Sequence, residues 1–315
     1  MQRSTGNFLR VPGARNGGEL EYVHLTPPVI GHLDEGFGAG QCDGMQDDAS
    51  RLIAIRVIGW VAGGFWLLLF FGLVDLTTPL FLQNRPEFYD GYLISTGWGV
   101  LFTFFAGTPL CVLGAQPRWV SAALVSGAAG VTVLITGVAS LQPAHVVVAA
   151  MLLVPAATVL VLTRRMSRYD GSPRWAVLVS DAATAPSRVL LLGLALLALP
   201  PAIIYAVTMI RLAIDGTVEP TYTWDLDHFP VQAASALVIP VATALLALQL
   251  PGWRAMAVLL AAGTAWFGIV SVVFPDHLAS WGTVWGYAAV GWALAVSCVA
   301  IPWSGRARIR ESAAQ

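Results

Sequence analysis

The sequence predicts an all-α, polytopic integral membrane protein, a bundle of eight transmembrane helices. Three observations carry this. Hydrophobic residues make up 57% of the 315-residue chain and charged residues only 11%, against about 45–50% and about 25% in an ordinary soluble domain. Mean hydropathy is +0.70. Eight apolar runs have the length of about 18–25 residues that a bilayer core requires. The same balance excludes a disordered chain, a nucleic-acid partner bound on a basic face, and most soluble enzymes.

The runs follow one another along the chain. Val57–Val74 comes first, after Arg51 and Arg56. Leu93–Leu113 contains Pro109, and Val120–Ala139 follows the turn Gln116-Pro117-Arg118-Trp119. Val146–Leu162 contains Pro155. Val189–Ile210 contains Pro200-Pro201, a pair predicted to break this fifth helix near its middle. Val231–Leu250 contains Pro240, Ala255–Phe274 follows Arg254, and Thr283–Ile301 closes the series. Each run is expected to be helical, because a helix satisfies its own backbone hydrogen bonds in hydrocarbon. None alternates over about ten residues as a barrel strand does.

Arginine placement sets the orientation. All 17 basic residues are Arg, and there is no Lys. Lys codons are AT-rich, so this points to a high-GC bacterial genome. It also excludes a lysine Schiff base. With the N-terminus in the cytoplasm, Arg51, Arg56, Arg118, Arg164, Arg165, Arg168, Arg174, Arg188, Arg254, Arg306, Arg308 and Arg310 lie on the inner side. Only Arg85 and Arg211 lie outside. Both termini are therefore expected in the cytoplasm of a bacterial inner membrane. The outer face carries Asp75, Glu87, Asp90, Asp215, Glu219, Asp225, Asp227 and Asp276. Those acids either remain because Arg is kept inside, or form a cation-attracting surface.

Five segments result. Residues 1–50 form a Gly-rich tail expected to be disordered, without the basic start and apolar stretch of a secretory signal. Met45, just before Asp47-Asp48, is a candidate native start. Residues 51–162 and 188–303 form two four-helix halves. Residues 163–187 form an Arg-rich cytoplasmic loop, and 304–315 a basic tail. Several landmarks recur between the halves. Pro117-Arg118-Trp119 matches Pro251-Gly252-Trp253, and Pro143-Ala144-His145 matches Pro275-Asp276-His277. Two readings stand: a parallel 4+4 duplication about an axis along the membrane normal, or the ordinary preference of Pro and Trp for helix ends.

Candidate chemistry is sparse. His145, His228 and His277 lie on the expected outer side, each just before an even-numbered helix. Asp225 and Asp227 flank His228, and Asp276 precedes His277. His with carboxylate suits zinc or another transition metal, or a pH sensor. The plainer reading is three interfacial polar residues with no common centre. No ionisable side chain falls in the middle of any run, which disfavours a midplane proton relay. The break expected at Pro200-Pro201 would open a cavity lined by Tyr205 and Thr208 for a lipid or small apolar ligand. Gly59-x3-Gly63 and Gly282-x3-Gly286 predict close helix approach. There is no Cys-x-x-Cys, no phosphate-binding Gly loop and no nucleophile elbow.

The function expected is a non-enzymatic, transporter-like or ligand- and lipid-binding module with an acidic, His-containing outer mouth. One alternative is a membrane sensor or accessory subunit that reads pH or metal. Another is a lipid-modifying enzyme at the outer interface. The partners expected are the lipid bilayer and a membrane partner or second copy, with no nucleic acid.

Overall fold

The computed structural model describes residues 39–81, 91–169, 186–217 and 226–301. Eight helices are long and apolar enough to cross a membrane. They are α1 (Asp47–Phe81), α2 (Tyr92–Ala115), α3 (Val120–Ala139), α4 (Pro143–Arg165), α5 (Pro186–Ile214), α6 (Phe229–Leu246), α7 (Trp253–Val273) and α8 (Gly282–Ala300). No strand occurs among the described residues. The chain is a multi-pass membrane protein, and each helix overlaps one of the eight apolar runs.

The helices sort into two shells. In α2, α3, α6 and α7, between 56% and 78% of the most apolar window is buried inside the protein; in α1, α4, α5 and α8 the share is 22% to 33%. The first four are the core and the others are the rim. Consecutive helices pair as antiparallel hairpins, α1 on α2, α3 on α4, α5 on α6 and α7 on α8. The hairpins join through α3 against α6 and α2 against α7. Exposed rim side chains such as Leu68, Leu196 and Val284 are apolar because lipid is their solvent.

Small residues let backbones meet. A Cβ on Gly59 would lie 2.5 Å from the Gly114 nitrogen, and one on Gly63 would lie 2.7 Å from the Cys111 nitrogen. Gly286 is equally tight against the Gly268 carbonyl oxygen, 2.7 Å from its added Cβ. Three of the four glycines in the small-residue patterns therefore sit at close crossings. Gly282 instead adopts φ 72° with open space around it.

Two turns meet at the end of the bundle opposite the histidines. Ser121 at the start of α3 donates through its nitrogen to the Pro251 carbonyl (3.2 Å) and through Oγ to the Leu250 carbonyl (2.9 Å). Gly252, at φ 86°, lies against the Trp119 ring, where a Cβ would collide. Only a residue tolerant of the left-handed region, with no side chain, fits there.

Three expectations change. The helix ahead of α1 starts at Ala39, so the end of the segment expected to be disordered is helical. Arg51 bonds Asp48 and Asp47 one turn before it, both at 3.1 Å, i,i+3 and i,i+4 pairs that support a helix from within. Residues 1–38 lie outside the described residues. The break expected at Pro200-Pro201 is absent, since α5 runs as one helix from Pro186 to Ile214. Proline's fixed φ matches a helix, and membrane helices tolerate the lost donors. The break lies instead in α1. There a π-helical turn at Phe65–Leu69 ends at Phe70, Phe71 takes φ 60°, and a second helical piece runs Gly72–Phe81.

Candidate functional site

The histidines form a buried layer at one end of the bundle and line no open mouth. His145 and His228 are each 1% exposed and His277 is 9%. His145, in the first turn of α4, has Nε2 2.7 Å from the Asp227 carbonyl oxygen. A carbonyl only accepts, so Nε2 carries the proton and Nδ1 is left as an acceptor. That Nδ1 is buried without a hydrogen-bond partner among the described residues. Asp227 organises the start of α6. Its Oδ1 accepts from the Phe229 nitrogen at 2.9 Å and its Oδ2 from Gln142 Nε2 at 3.3 Å. The His228 ring lies 4.5 Å from the Trp98 ring. Burial pushes the His228 pKa down to about 4, against the opposing pull of the Asp227 charge.

The structure brings His145 and His228 together around Asp227, and places His277 elsewhere, stacked on Tyr92 (5.7 Å) and beside Phe274 (5.0 Å). Asp276 is exposed. Asp225 lies outside the described residues. Among the described residues no three His, Cys, Asp or Glu side chains are grouped as a metal centre requires.

The helix-five candidates also separate. Pro200 and Thr208 are exposed on the rim. The Thr208 hydroxyl donates back to the Ile204 carbonyl at 3.0 Å. Tyr205 points inward; its hydroxyl lies 2.7 Å from the Ala279 carbonyl and 3.3 Å from Gln232 Oε1. Gln232 in turn donates through Nε2 to the Leu93 and Ile94 carbonyls. This is a satisfied polar clamp joining α2, α5, α6 and the α7–α8 turn. None of Pro200, Pro201, Tyr205 and Thr208 lines either of two apolar grooves. One, of about 600 Å³, runs between α1 and α4 past Trp66 and Pro155; the other, of about 310 Å³, is bounded by α1, α2 and α7.

The arrangement best suited to chemistry is one that the apolar pattern did not reveal. Opposite the α1 break, α2 opens into its own π-helical stretch, Leu101–Gly107. Wide turns of this kind recur at functional sites. Gly72 packs on this stretch, and a Cβ there would lie 2.7 Å from the Trp66 carbonyl oxygen and 3.0 Å from Thr103 Oγ1. Gly99 packs on the backbone of Leu76. Gly72 and Gly99 thus place Asp75 about one helical turn along from Thr103 on the same α1–α2 contact. Asp75 Oδ2 and Thr103 Oγ1 are both buried without a hydrogen-bond partner among the described residues. Thr103 stands at the middle of α2, Tyr92–Ala115. Asp75, expected on the outer face, belongs to a helix that runs on to Phe81. It stands six residues before the end of that helix.

Aromatic rings enclose this level. Trp98 Nε1 donates to the Phe70 carbonyl at 3.0 Å, satisfying one acceptor freed by the break. The Trp66 ring stacks on Phe102 at 5.0 Å, and the Phe70 ring on Trp98 at 5.2 Å. Trp266 of α7 donates to the Leu76 carbonyl at 3.1 Å. A signal was present in the sequence: Asp75 lies directly after an apolar run, and Pro79 follows four residues later. Compared with protein-family models, curated proteins and solved structures, the chain matches none.

Proposed function

We propose that the chain is a transporter-type protein of a bacterial inner membrane, passing a small solute at the level of the α1 break. Eight crossings return the chain to the side where it began, and the Arg distribution favours the cytoplasm for both termini. One observation carries the functional reading. An interrupted helix faces a π-helical stretch at mid-depth, and nearby one oxygen of the Asp75 carboxylate and the Thr103 hydroxyl are buried without a hydrogen-bond partner among the described residues. Discontinuous helices at the midplane are how many transporters hold substrate or coupling ion. Ionisable groups at that depth are costly and belong to function by default. The buried histidine layer then closes one end of the path and does not form a mouth.

The 4+4 duplication is part of this reading. The helix pairings keep their pattern when every helix number is advanced by four. The α2–α7 contact becomes α6–α3, and each hairpin becomes its counterpart. The recurring landmarks also meet crosswise. His145 of the first Pro-x-His approaches Asp227, ahead of α6, while His277 of the second stacks on Tyr92, at the start of α2. The two Pro-x-Trp turns pack on each other. These pairings favour a two-fold axis along the membrane normal, between the halves.

The test is access to mid-depth. In a chain with Cys42, Cys111 and Cys298 replaced by Ser, Thr103→Cys is treated with a charged, membrane-impermeant thiol reagent in right-side-out and inside-out vesicles. The expected result is modification from at least one face. A folded variant that resists the reagent from both faces is not a transporter.

A further inference from the structure

We propose that the groove between α1 and α4 binds one acyl chain of an anionic phospholipid, with the phosphate held by Arg165 at the arginine-bearing end of α4. The proposal goes beyond the transporter reading and does not depend on it. The walls are two helix faces. Ile58, Val61 and Phe65 line the groove from α1, and Val147, Met151 and Val154 line it from α4. On each helix these residues recur every three or four positions, so each presents a single face. None of the lining side chains is charged, and none carries a hydroxyl or an amide. Nothing there can hold a hydrated solute. The groove is also long. On α1 it begins at Ile58, next to Gly59, which packs against Gly114 near the Ala115 end of α2. On α4 it ends at Val147, two residues from His145 in the layer at the opposite end of the bundle.

Its volume selects the occupant. About 600 Å³ is open between the two helices. A methylene is similar in size to a water molecule, about 30 Å³, so the groove takes on the order of twenty of them, one acyl chain. A transmembrane helix of about 18 residues, about 27 Å long and about 10 Å across, fills on the order of 2,000 Å³ and does not enter.

Charge at one end names the headgroup. From Val154 the same face of α4 continues through Thr158 and Val161 to Arg165, at intervals of four, three and four residues. α4 stays helical throughout. Val154 and Val161 are exposed, and the Thr158 hydroxyl is turned back to the Val154 carbonyl at 2.8 Å. The track is therefore apolar until Arg165, which is exposed and has no carboxylate partner among the described residues. The acids at this end of α1, Asp47 and Asp48, both bond Arg51 at 3.1 Å and leave Arg165 free for another anion. A guanidinium holds a phosphate through paired, charge-assisted hydrogen bonds. Anionic lipids of the cytoplasmic leaflet concentrate where basic residues meet the surface. A zwitterionic headgroup brings a cation of its own, which Arg165 repels.

The experiment uses the full chain, purified in detergent and freed of copurified lipid. It is titrated with phosphatidylglycerol or with phosphatidylcholine of the same acyl chains. Native mass spectrometry counts the bound lipids. Unfolding temperature reports binding independently, because a lipid held only by the folded state raises the midpoint. The expected result is one saturable phosphatidylglycerol adduct, with an affinity about tenfold or more above that for phosphatidylcholine. Arg165→Gln lowers the phosphatidylglycerol affinity to that of phosphatidylcholine. Ala150→Phe, at an exposed position on the groove wall, fills the space and weakens binding of both lipids. Leu196→Phe, on the exposed rim of α5, leaves binding unchanged. Midpoints in lipid-free detergent show which variants are folded, and Val154→Trp replaces Ala150→Phe if the latter is not. Equal affinity for the two lipids overturns the proposal, as does an adduct that survives both Arg165→Gln and the groove-filling variant unchanged. Binding weakened as much by Leu196→Phe as by Ala150→Phe reveals a nonspecific lipid shell and overturns it too. An adduct with the mass of a second copy of the chain, in place of a lipid, overturns it in favour of a dimer.

Discussion

His228 shows what burial does to a single residue in this chain. Its imidazole lies against Trp98, and its pKa is lowered to about 4, chiefly by desolvation. In the unfolded chain a histidine titrates near about 6.5. Between those values the unfolded state takes up a proton that the folded state refuses, so stability falls as pH drops through this window. The loss is about 3 kcal/mol at most by pH 4, and His228 has no such effect above about pH 6.5. Unfolding midpoints from pH 7.5 to 4.5 should decline, and His228→Gln should flatten the decline; equal slopes would remove His228 as the cause. Glycine supplies a second test at this scale. A Cβ on Gly99 would collide with the backbone nitrogen and Cα of Leu76, whereas one on Gly193 meets open space. Gly99→Ala should cost about 1–3 kcal/mol, and Gly193→Ala should be neutral or gain about 0.5–1 kcal/mol. Thermal unfolding of both in one detergent checks the pair. The histidines were legible in the sequence as residues but not as a layer. His145 meets Asp227 only because α4 and α6 share one end of the bundle, a fact of packing that no spacing along the chain contains.

At the scale of elements, all eight helices were legible from apolar runs, because crossing hydrocarbon imposes length and composition together. What the runs could not show was where a helix is interrupted. Pro200-Pro201 is the strongest breaker in the sequence, yet α5 is continuous there. Phe70-Phe71 is wholly apolar, yet α1 breaks there. The difference lies in partners. The broken backbone of α1 finds a donor in Trp98 and a wide turn in α2, whereas the Pro200 face of α5 lies on the rim, where no donor could satisfy a freed carbonyl. The end of this helix was also not legible, since hydropathy ends the run at Val74 while the helix runs on past Asp75 to Phe81. The inward face of α5 is fixed by the Tyr205 hydroxyl on the Ala279 carbonyl. Tyr205→Phe should lower stability by about 1 kcal/mol or somewhat more, because a carbonyl is left without its donor. A Tyr205→Phe midpoint equal to wild type would show that packing alone holds α5. Pro200→Ala with Pro201→Ala should leave the fold and the midpoint close to those of wild type.

For the whole molecule, the halves meet through core helices, α3 on α6 and α2 on α7, while the rim helices look outward. A chain divided within residues 170–185 should therefore reassemble. Co-expressed as separate polypeptides, the halves should copurify through a tag on either one, and a half expressed alone should be degraded or aggregate. Halves that purify singly as folded, monodisperse species would contradict an interface of this kind. Composition announced the membrane at this scale. The pairing of hairpins did not show in it, because the few polar residues of the core helices, such as Gln232, bond backbone carbonyls that look alike in every helix.

The position of Asp75 also bears on how the chain is made. A carboxylate within an apolar crossing is costly when a helix passes from the translocon into lipid. The piece Gly72–Phe81 that carries it is short, and α2, on which it packs, is synthesised later. The two crossings are pinned together at Gly59, Gly63, Gly72 and Gly99. They should therefore leave the translocation channel as a hairpin, with α1 held at its lateral gate until α2 has emerged.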